Sequence, residues 1–147
     1  MKIKIDNDLI IIYLYNIKLN FDNLEVLKTN IKDLLVNIHN RKINLNGMYE
    51  VVIYENNYYG YILEIKNIKE FTYGDFVDLK LELKRNQEFY LVFDNYNYIE
   101  DLKEVFYKNN QFFVNIKNVL NVNKKIELCD IVYKNSYNLE YKSVKVK

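Results

Sequence analysis

One run of this chain alternates apolar and polar positions with a strict period of two, several others are rich in β-branched residues, and one stretch switches to the period of a helix. The runs "KIKI" and "LIIIYLYN" are rich in β-branched residues and are joined by Asp6-Asn7-Asp8, residue types that favour turns, so the chain is expected to open on a β-hairpin. In the second run Ile10, Ile12 and Leu14 share one face and Ile11, Tyr13 and Tyr15 the other. Apolar residues on both faces predict a central strand covered at least partly on each side.

The helical stretch is "FDNLEVLKTNIKDLLVNIHN", spanning about 22–39. Leu24, Leu27, Ile31, Leu34, Leu35 and Ile38 form one stripe at helical spacing, with Lys28, Lys32, Asp33 and Asn37 on the polar side. Asp22 and Glu25 have the spacing of a capping box, and Phe21 and Val26 that of a hydrophobic staple. Asn40 is the expected stop, with Arg41 and Lys42 near the negative end of the helix.

Strand signals resume in "GMYEVVIYENNYYGYILEI", where two strands, about 48–54 and 58–65, flank Glu55-Asn56-Asn57. In the second of them Tyr59, Tyr61, Leu63 and Ile65 share one face and Tyr58, Gly60, Ile62 and Glu64 the other. "VDLKLELK" alternates strictly, with Val77, Leu79, Leu81 and Leu83 inward, and is expected to turn through Arg85-Asn86-Gln87 and pair with "EFYLVFD". "YIEDL" reads as one helical turn and "VFYKNNQFFVNI" as a further hairpin. "NKKIELCDIVYKN" reads as a short helix, with Ile126, Leu128, Ile131 and Val132 leaning to one side. "LEYKSVKVK" reads as a closing strand whose lysines blunt an exposed edge.

At an offset of 53, Val52, Tyr54, Asn56 and Asn57 match Val105, Tyr107, Asn109 and Asn110, and Tyr59 matches Phe112. Each match follows another expected hairpin, so an internal duplication of a hairpin unit is one reading and compositional bias the other. Either way the expected class is α+β: antiparallel meander sheet built from hairpins, with the long helix and a short C-terminal helix packed on it. A length of 147 residues fits a single domain, 1–147, with sub-halves 1–66 and 71–147 as the finer division.

Composition narrows the functional classes. Half the residues are hydrophobic and 28% are charged, with a formal net charge of +1, so no strong field draws nucleic acid or membrane toward the chain. The longest apolar run, Leu9–Tyr15, is too short to cross a bilayer, which takes about 20 residues. "MKIKIDND" lacks the features of a signal peptide, and a cytoplasmic protein is expected. Pro, Trp and Ala are absent and Arg occurs only at positions 41 and 85, whereas Asn, Lys, Ile and Tyr abound. Those four are the residues of AT-rich codons, so a low-GC genome accounts for much of the tyrosine and asparagine excess.

The search for chemistry ends mostly in exclusions. Cys129 and His39 could form a dyad in principle, but a cysteine buried on a helix and a histidine at a helix end are the plainer readings. Ser136, Ser143, Thr29 and Thr72 stand in no nucleophile-elbow pattern, and Gly47, Gly60 and Gly74 are isolated, so no phosphate loop exists. Asp6 with Asp8, Asp75 with Asp78, and Glu100, Asp101 and Glu104 are carboxylate groupings that turns and solvated faces explain. No catalytic, cofactor-binding or metal-binding residue is assigned, and the chain is read as a non-enzyme without cofactor.

One signal remains: tyrosine and phenylalanine on strands. Tyr59, Tyr61, Phe112, Tyr13 and Tyr15 form the candidate interaction surface. Tyrosine suits protein interfaces because it brings area and a hydroxyl at low entropic cost. A sheet of aromatics also stacks the bases of single strands, although balanced charge and scarce arginine disfavour nucleic acid here.

From Val105 onward, "VFYKNNQFFVNI", "KKIELCDIVYKN" and "SYNLEYKSVKV" follow in the order aromatic hairpin, short helix, closing strand. "FTYGDFVDL" at 71–79 supplies an acidic–aromatic start. In this order the C-terminal half resembles the C-terminal domain of MecA-type adaptor proteins of low-GC Gram-positive bacteria. The resemblance implies an adaptor that binds a Clp-type unfoldase and presents substrates. It covers about half the chain, and the alternating strand 77–83 departs from it, because the family has helix there. The leading expectation is therefore a small non-enzymatic protein acting through protein–protein contact, as adaptor or regulator. A single-stranded nucleic-acid module is the alternative and a purely structural role the third reading. A protein partner is expected, no membrane is, and a homo-oligomer stays open.

Overall fold

The fold was read from a computed structural model that describes residues 2–39, 46–70, 77–99, 101–120, 122–126, 129–134 and 144–145. The class is α+β, with two five-stranded antiparallel-rich sheets of hairpins, one main helix and one short helix among the described residues. Contacts divide the chain into two compact units, Met1–Ile53 with Gly60–Lys84, and Tyr54–Tyr59 with Arg85–Lys147. The division falls after Lys84 rather than between residues 66 and 71, and it assigns a hairpin tip to the second unit.

The first unit contains β1 (Lys2–Asp6), β2 (Leu9–Tyr15), α1 (Leu24–His39), most of β3 (Gly47–Asn56), β4 (Gly60–Lys69) and β5 (Val77–Lys84). Its sheet runs β1-β2-β4-β3-β5. The β1–β2 turn places Asn7 at φ 53°, a left-handed conformation that asparagine tolerates. β2 is central, with Ile10, Ile12 and Leu14 against the helix and Ile11 and Tyr13 buried on the opposite face. Leu27, Ile31, Leu35 and Ile38 of α1 pack on Val51, Ile53, Leu63, Ile65 and Leu79. Each such side chain contributes roughly 1.5–3 kcal/mol by leaving water.

The helix begins one residue later than the capping-box spacing predicts. Oδ1 of Asn23 accepts from the backbone N–H of Glu25 at 3.0 Å and of Val26 at 3.2 Å, so Asn23 is the N-cap. Asp22 is drawn into a preceding turn, where its N–H donates to Oδ1 of Asn20 at 2.9 Å. The expected staple is replaced: Phe21 packs on the core with its ring 5.5 Å from that of Tyr61, while Val26 and Leu24 stay exposed.

The second unit contains β6 (Tyr90–Phe93), a 3-10 turn (Tyr96–Ile99), β7 (Val105–Lys108), β8 (Gln111–Asn115), a second 3-10 turn (Ile116–Asn118), α2 (Val122–Lys125), β9 (Asp130–Val132) and β10 (Val144–Lys145). Its sheet runs β10-β7-β8-β6-β9. Leu91, Val114 and Val105 align across β6, β8 and β7 on one face, all fully buried. Tyr90, Val92, Phe113 and the half-buried Phe106 and Val132 cluster together.

Three expectations are corrected. β5 and β6 do not form a hairpin: β5 lies in the first sheet beside β3, and β6 pairs with β8 and β9. The linker is held open by the tip of the β3–β4 hairpin, since Gln87 N–H donates to the Glu55 carbonyl at 2.8 Å. Burial agrees, because β6 is apolar and buried throughout, whereas β5 keeps a wet face and suits a sheet edge. The helical turn expected in "YIEDL" is a 3-10 turn placed earlier, over Tyr96–Ile99. Finally, the C-terminal helix is a single turn, and Ile131 and Val132, read as helical, pair as strand with Leu91 and Tyr90. Their β-branched side chains favour that outcome.

The offset repeat is matched in sequence but not in turn geometry. Asn109 and Asn110 both adopt left-handed conformations, φ 50° and 64°, in a two-residue hairpin turn. In the other hairpin, neither Asn56 nor Asn57 does, and Gly60 takes φ 123° instead. The Asn40 stop, Gly74, Asp75, Glu100, Leu128, Ser136, Ser143 and most of the closing tail lie outside the described residues, as does the side chain of His39.

Candidate binding cleft

The five residues of the candidate aromatic surface are placed as follows. In the first unit, Leu14 pairs with Tyr61 across β2 and β4, so Tyr61 is on the helix side, half-buried beside Phe21. Tyr13 and Tyr15 are on the other face, Tyr13 buried, with Nζ of Lys2 5.3 Å from its ring centroid. In the second unit, Tyr59 is buried, its ring 5.5 Å from that of Phe89. Phe112 is half-buried between Tyr107 and Tyr96, at 5.1 and 5.8 Å. Within neither unit do these residues gather on one exposed face.

The second unit instead carries a polar cleft with two lobes. The smaller lobe, of about 140 Å³, is lined by Asn56, Asn57, Tyr58, Asn86, Gln87, Glu88, Asn115 and Lys117. The larger, of about 300 Å³, is lined by Glu88, Tyr90, Glu104, Phe106, Asn115, Lys117 and Asn118. Glu88, Asn115 and Lys117 are common to both.

Local structure fixes these side chains. Asn115 ends β8, opposite Tyr90, and caps the following 3-10 turn: its Oδ1 accepts from Lys117 N–H at 3.1 Å. This contact sets the amide so that Nδ2 is the remaining donor. Asn115 is 7% exposed, and among the described residues Nδ2 finds no hydrogen-bond partner. A buried donor left unmade costs free energy that a ligand acceptor returns. On the smaller side, Asn56 is tied down. Its Oδ1 accepts from Tyr58 and Tyr59 N–H at 2.9 Å each, and its Nδ2 donates to the Gln87 carbonyl at 2.7 Å. Tyr90 donates its hydroxyl to the Glu88 carboxylate at 3.0 Å, which orients that acid at the junction of the lobes.

The lining holds amides, carboxylates, one ammonium and aromatic rings, and no serine, threonine, cysteine or histidine. Such a set is suited to hydrogen bonding and stacking rather than to nucleophilic attack. Among the described residues no group of three or more His, Cys, Asp and Glu is placed to hold a metal ion, and no helix is long and apolar enough to cross a membrane.

Sequence reasoning did not single out Asn115, Glu88 or Lys117, and it met Glu104 only in an acidic grouping with Glu100 and Asp101. One signal was present: Asn115 shares a strand face with Phe113, so a polar residue stands where the period of two calls for an apolar one. The rest come from a linker, a loop and a turn, which periodicity does not connect. Comparison with protein-family models, curated proteins and solved structures finds no match to this chain.

Proposed function

We propose that this is a non-enzymatic binding protein that acts through protein–protein contact and receives an extended polypeptide segment in the cleft of its second unit. The observation that carries the reading is the buried, unspent Nδ2 donor of Asn115 in a cleft lined by amides. Asn and Gln each present a donor beside an acceptor, the same pair a peptide backbone presents. Pockets for cofactors and small molecules are mainly apolar and enclose about 300–1,000 Å³. This cleft is smaller or at the low end, and its lining is mostly polar.

An adaptor role is one form of this activity. It draws on the resemblance to MecA-type adaptors and on the succession β7–β8 hairpin, α2, closing strand β10, although β9 stands where the resemblance has helix. The strand at 77–84 counts against it. The test is hydrogen exchange on the intact chain titrated with a panel of unstructured peptides. Saturable binding with protection of amides at 86–90 and 115–119 is expected. No binding by any peptide, or protection confined to other segments, overturns the reading. Salt-sensitive binding of a single-stranded oligonucleotide that weakens in Tyr59→Ala or Tyr61→Ala would favour the nucleic-acid alternative in its place.

A further inference from the structure

The larger lobe of the cleft has a chemistry more specific than backbone recognition. Two carboxylates, Glu88 and Glu104, and one ammonium, Lys117, line this lobe, a formal charge of −1 among the lining groups. Tyr90 and Phe106 line the same lobe and pack in one cluster with Phe113, Val92 and Val132, which gives that wall a fixed aromatic surface. The same lobe is lined by Asn115, nine-tenths buried, with its Nδ2 donor unpartnered among the described residues.

We infer that the larger lobe selects a basic side chain, arginine or lysine, and that Asn115 Nδ2 donates to a backbone carbonyl next to that residue. The inference rests on the reading of the cleft as a peptide site. The cationic head makes charge-assisted hydrogen bonds to Glu88 and Glu104, stronger than neutral ones. Its methylene stem lies along Phe106, where a cation is also attracted to the face of the ring. Lys117 lines both lobes and disfavours a second basic residue beside the first, so the remainder of the segment runs into the neutral amides of the smaller lobe. Glu88 is held for this role by the Tyr90 hydroxyl at 3.0 Å rather than swinging freely in solvent.

The intact chain is titrated with fluorescein-labelled unstructured peptides that differ at one central position, carrying Arg, Lys, Gln or Glu there. The Arg and Lys peptides are expected to bind about tenfold more tightly than the Gln peptide, with the Glu peptide weakest. Raising salt narrows the gap. The double variant Glu88→Gln, Glu104→Gln should abolish the preference of the Arg and Lys peptides over the Gln peptide. Both acids are exposed, so the variant keeps its fold. Asn115→Ser keeps a capping acceptor for Lys117 N–H and withdraws the long donor, and it should weaken all four peptides alike. If all four bind equally and Asn115→Ser weakens them, selectivity for a basic residue is overturned and the peptide site stands. If none binds, or if Asn115→Ser folds and changes nothing, both readings fall.

Discussion

Asn56 and Gln87, 31 positions apart, are joined by a hydrogen bond of 2.7 Å from Nδ2 to carbonyl, and Gln87 N–H returns a bond to the carbonyl next to Asn56. With the two N–H groups it also accepts, the buried Asn56 side chain organises both a hairpin tip and the linker into β6. Asn56→Ala is expected to destabilise the chain by about 2–3 kcal/mol, because it strands buried backbone groups. The sequence-matched Asn109 serves only its left-handed backbone angle. There Asn109→Gly should be near neutral and Asn109→Ala should cost about 1 kcal/mol. Urea unfolding of the three variants checks this. Equal losses at the two alanine variants would contradict the difference in turn geometry.

The helix stripe divides sharply by burial. Ile31 is fully buried, and Ile31→Ala should cost about 2–5 kcal/mol through lost burial and the cavity left behind. Leu24 belongs to the same sequence stripe but is 54% exposed, so Leu24→Ala should change stability by no more than about 0.5 kcal/mol. Chemical denaturation of both variants measures the contrast.

Gly60 has φ 123°, and a Cβ added there would lie 2.5 Å from the carbonyl oxygen of Leu14, in the neighbouring strand. That oxygen belongs to the backbone and is not a flexible side-chain end. Gly60→Ala is therefore expected to lose at least about 2 kcal/mol, from angular strain and the clash together. Thermal melting with a drop of under about 2 °C would show that the strands separate to admit the methyl group.

Tyr49 is buried, and its phenol pKa lies above the ordinary 10.0, chiefly through burial, with Glu70 adding to the rise and a hydrogen bond with Asn67 opposing it. Below that ordinary value the phenol is neutral in both folded and unfolded chain and adds no pH dependence. As pH rises through it, the unfolded chain ionises first, so stability falls until the folded phenol ionises too. Tyr49→Phe should flatten part of the alkaline loss that begins near pH 10, as read by denaturant midpoints across the range. An unchanged alkaline slope would show that Tyr49 is not its source.

Ion pairing contributes less. Nζ of Lys125 donates to the Asp101 carboxylate at 3.0 Å and to the Tyr98 carbonyl at 3.2 Å, but Asp101 is mostly exposed. Lys125→Met should cost at most about 1 kcal/mol, with the Asp101 part diminishing in high salt, as melting at two salt concentrations would show.

Local pattern determined the elements of this protein. The β-branched run "LIIIYLY", the period of two in "VDLKLELK", the helical stripe from Leu27 to Ile38 and the Asn-Asn turn at 109–110 each rest on residues close in sequence, where backbone sterics and burial act directly. Tertiary structure decided which strands pair and which polar side chains meet. β5 and β6 follow one another closely enough to suggest a hairpin, yet they enter different sheets because the linker finds its hydrogen bonds on a hairpin tip some thirty residues away. The tyrosines that stood out in the sequence were drawn to separate faces and cores, since an aromatic ring on a strand is buried by whatever packs against that strand. The cleft is the clearest case. Asn115, Glu88, Glu104 and Lys117 come from a strand end, a linker, a loop and a 3-10 turn, and only the closing of the second sheet brings them to one place.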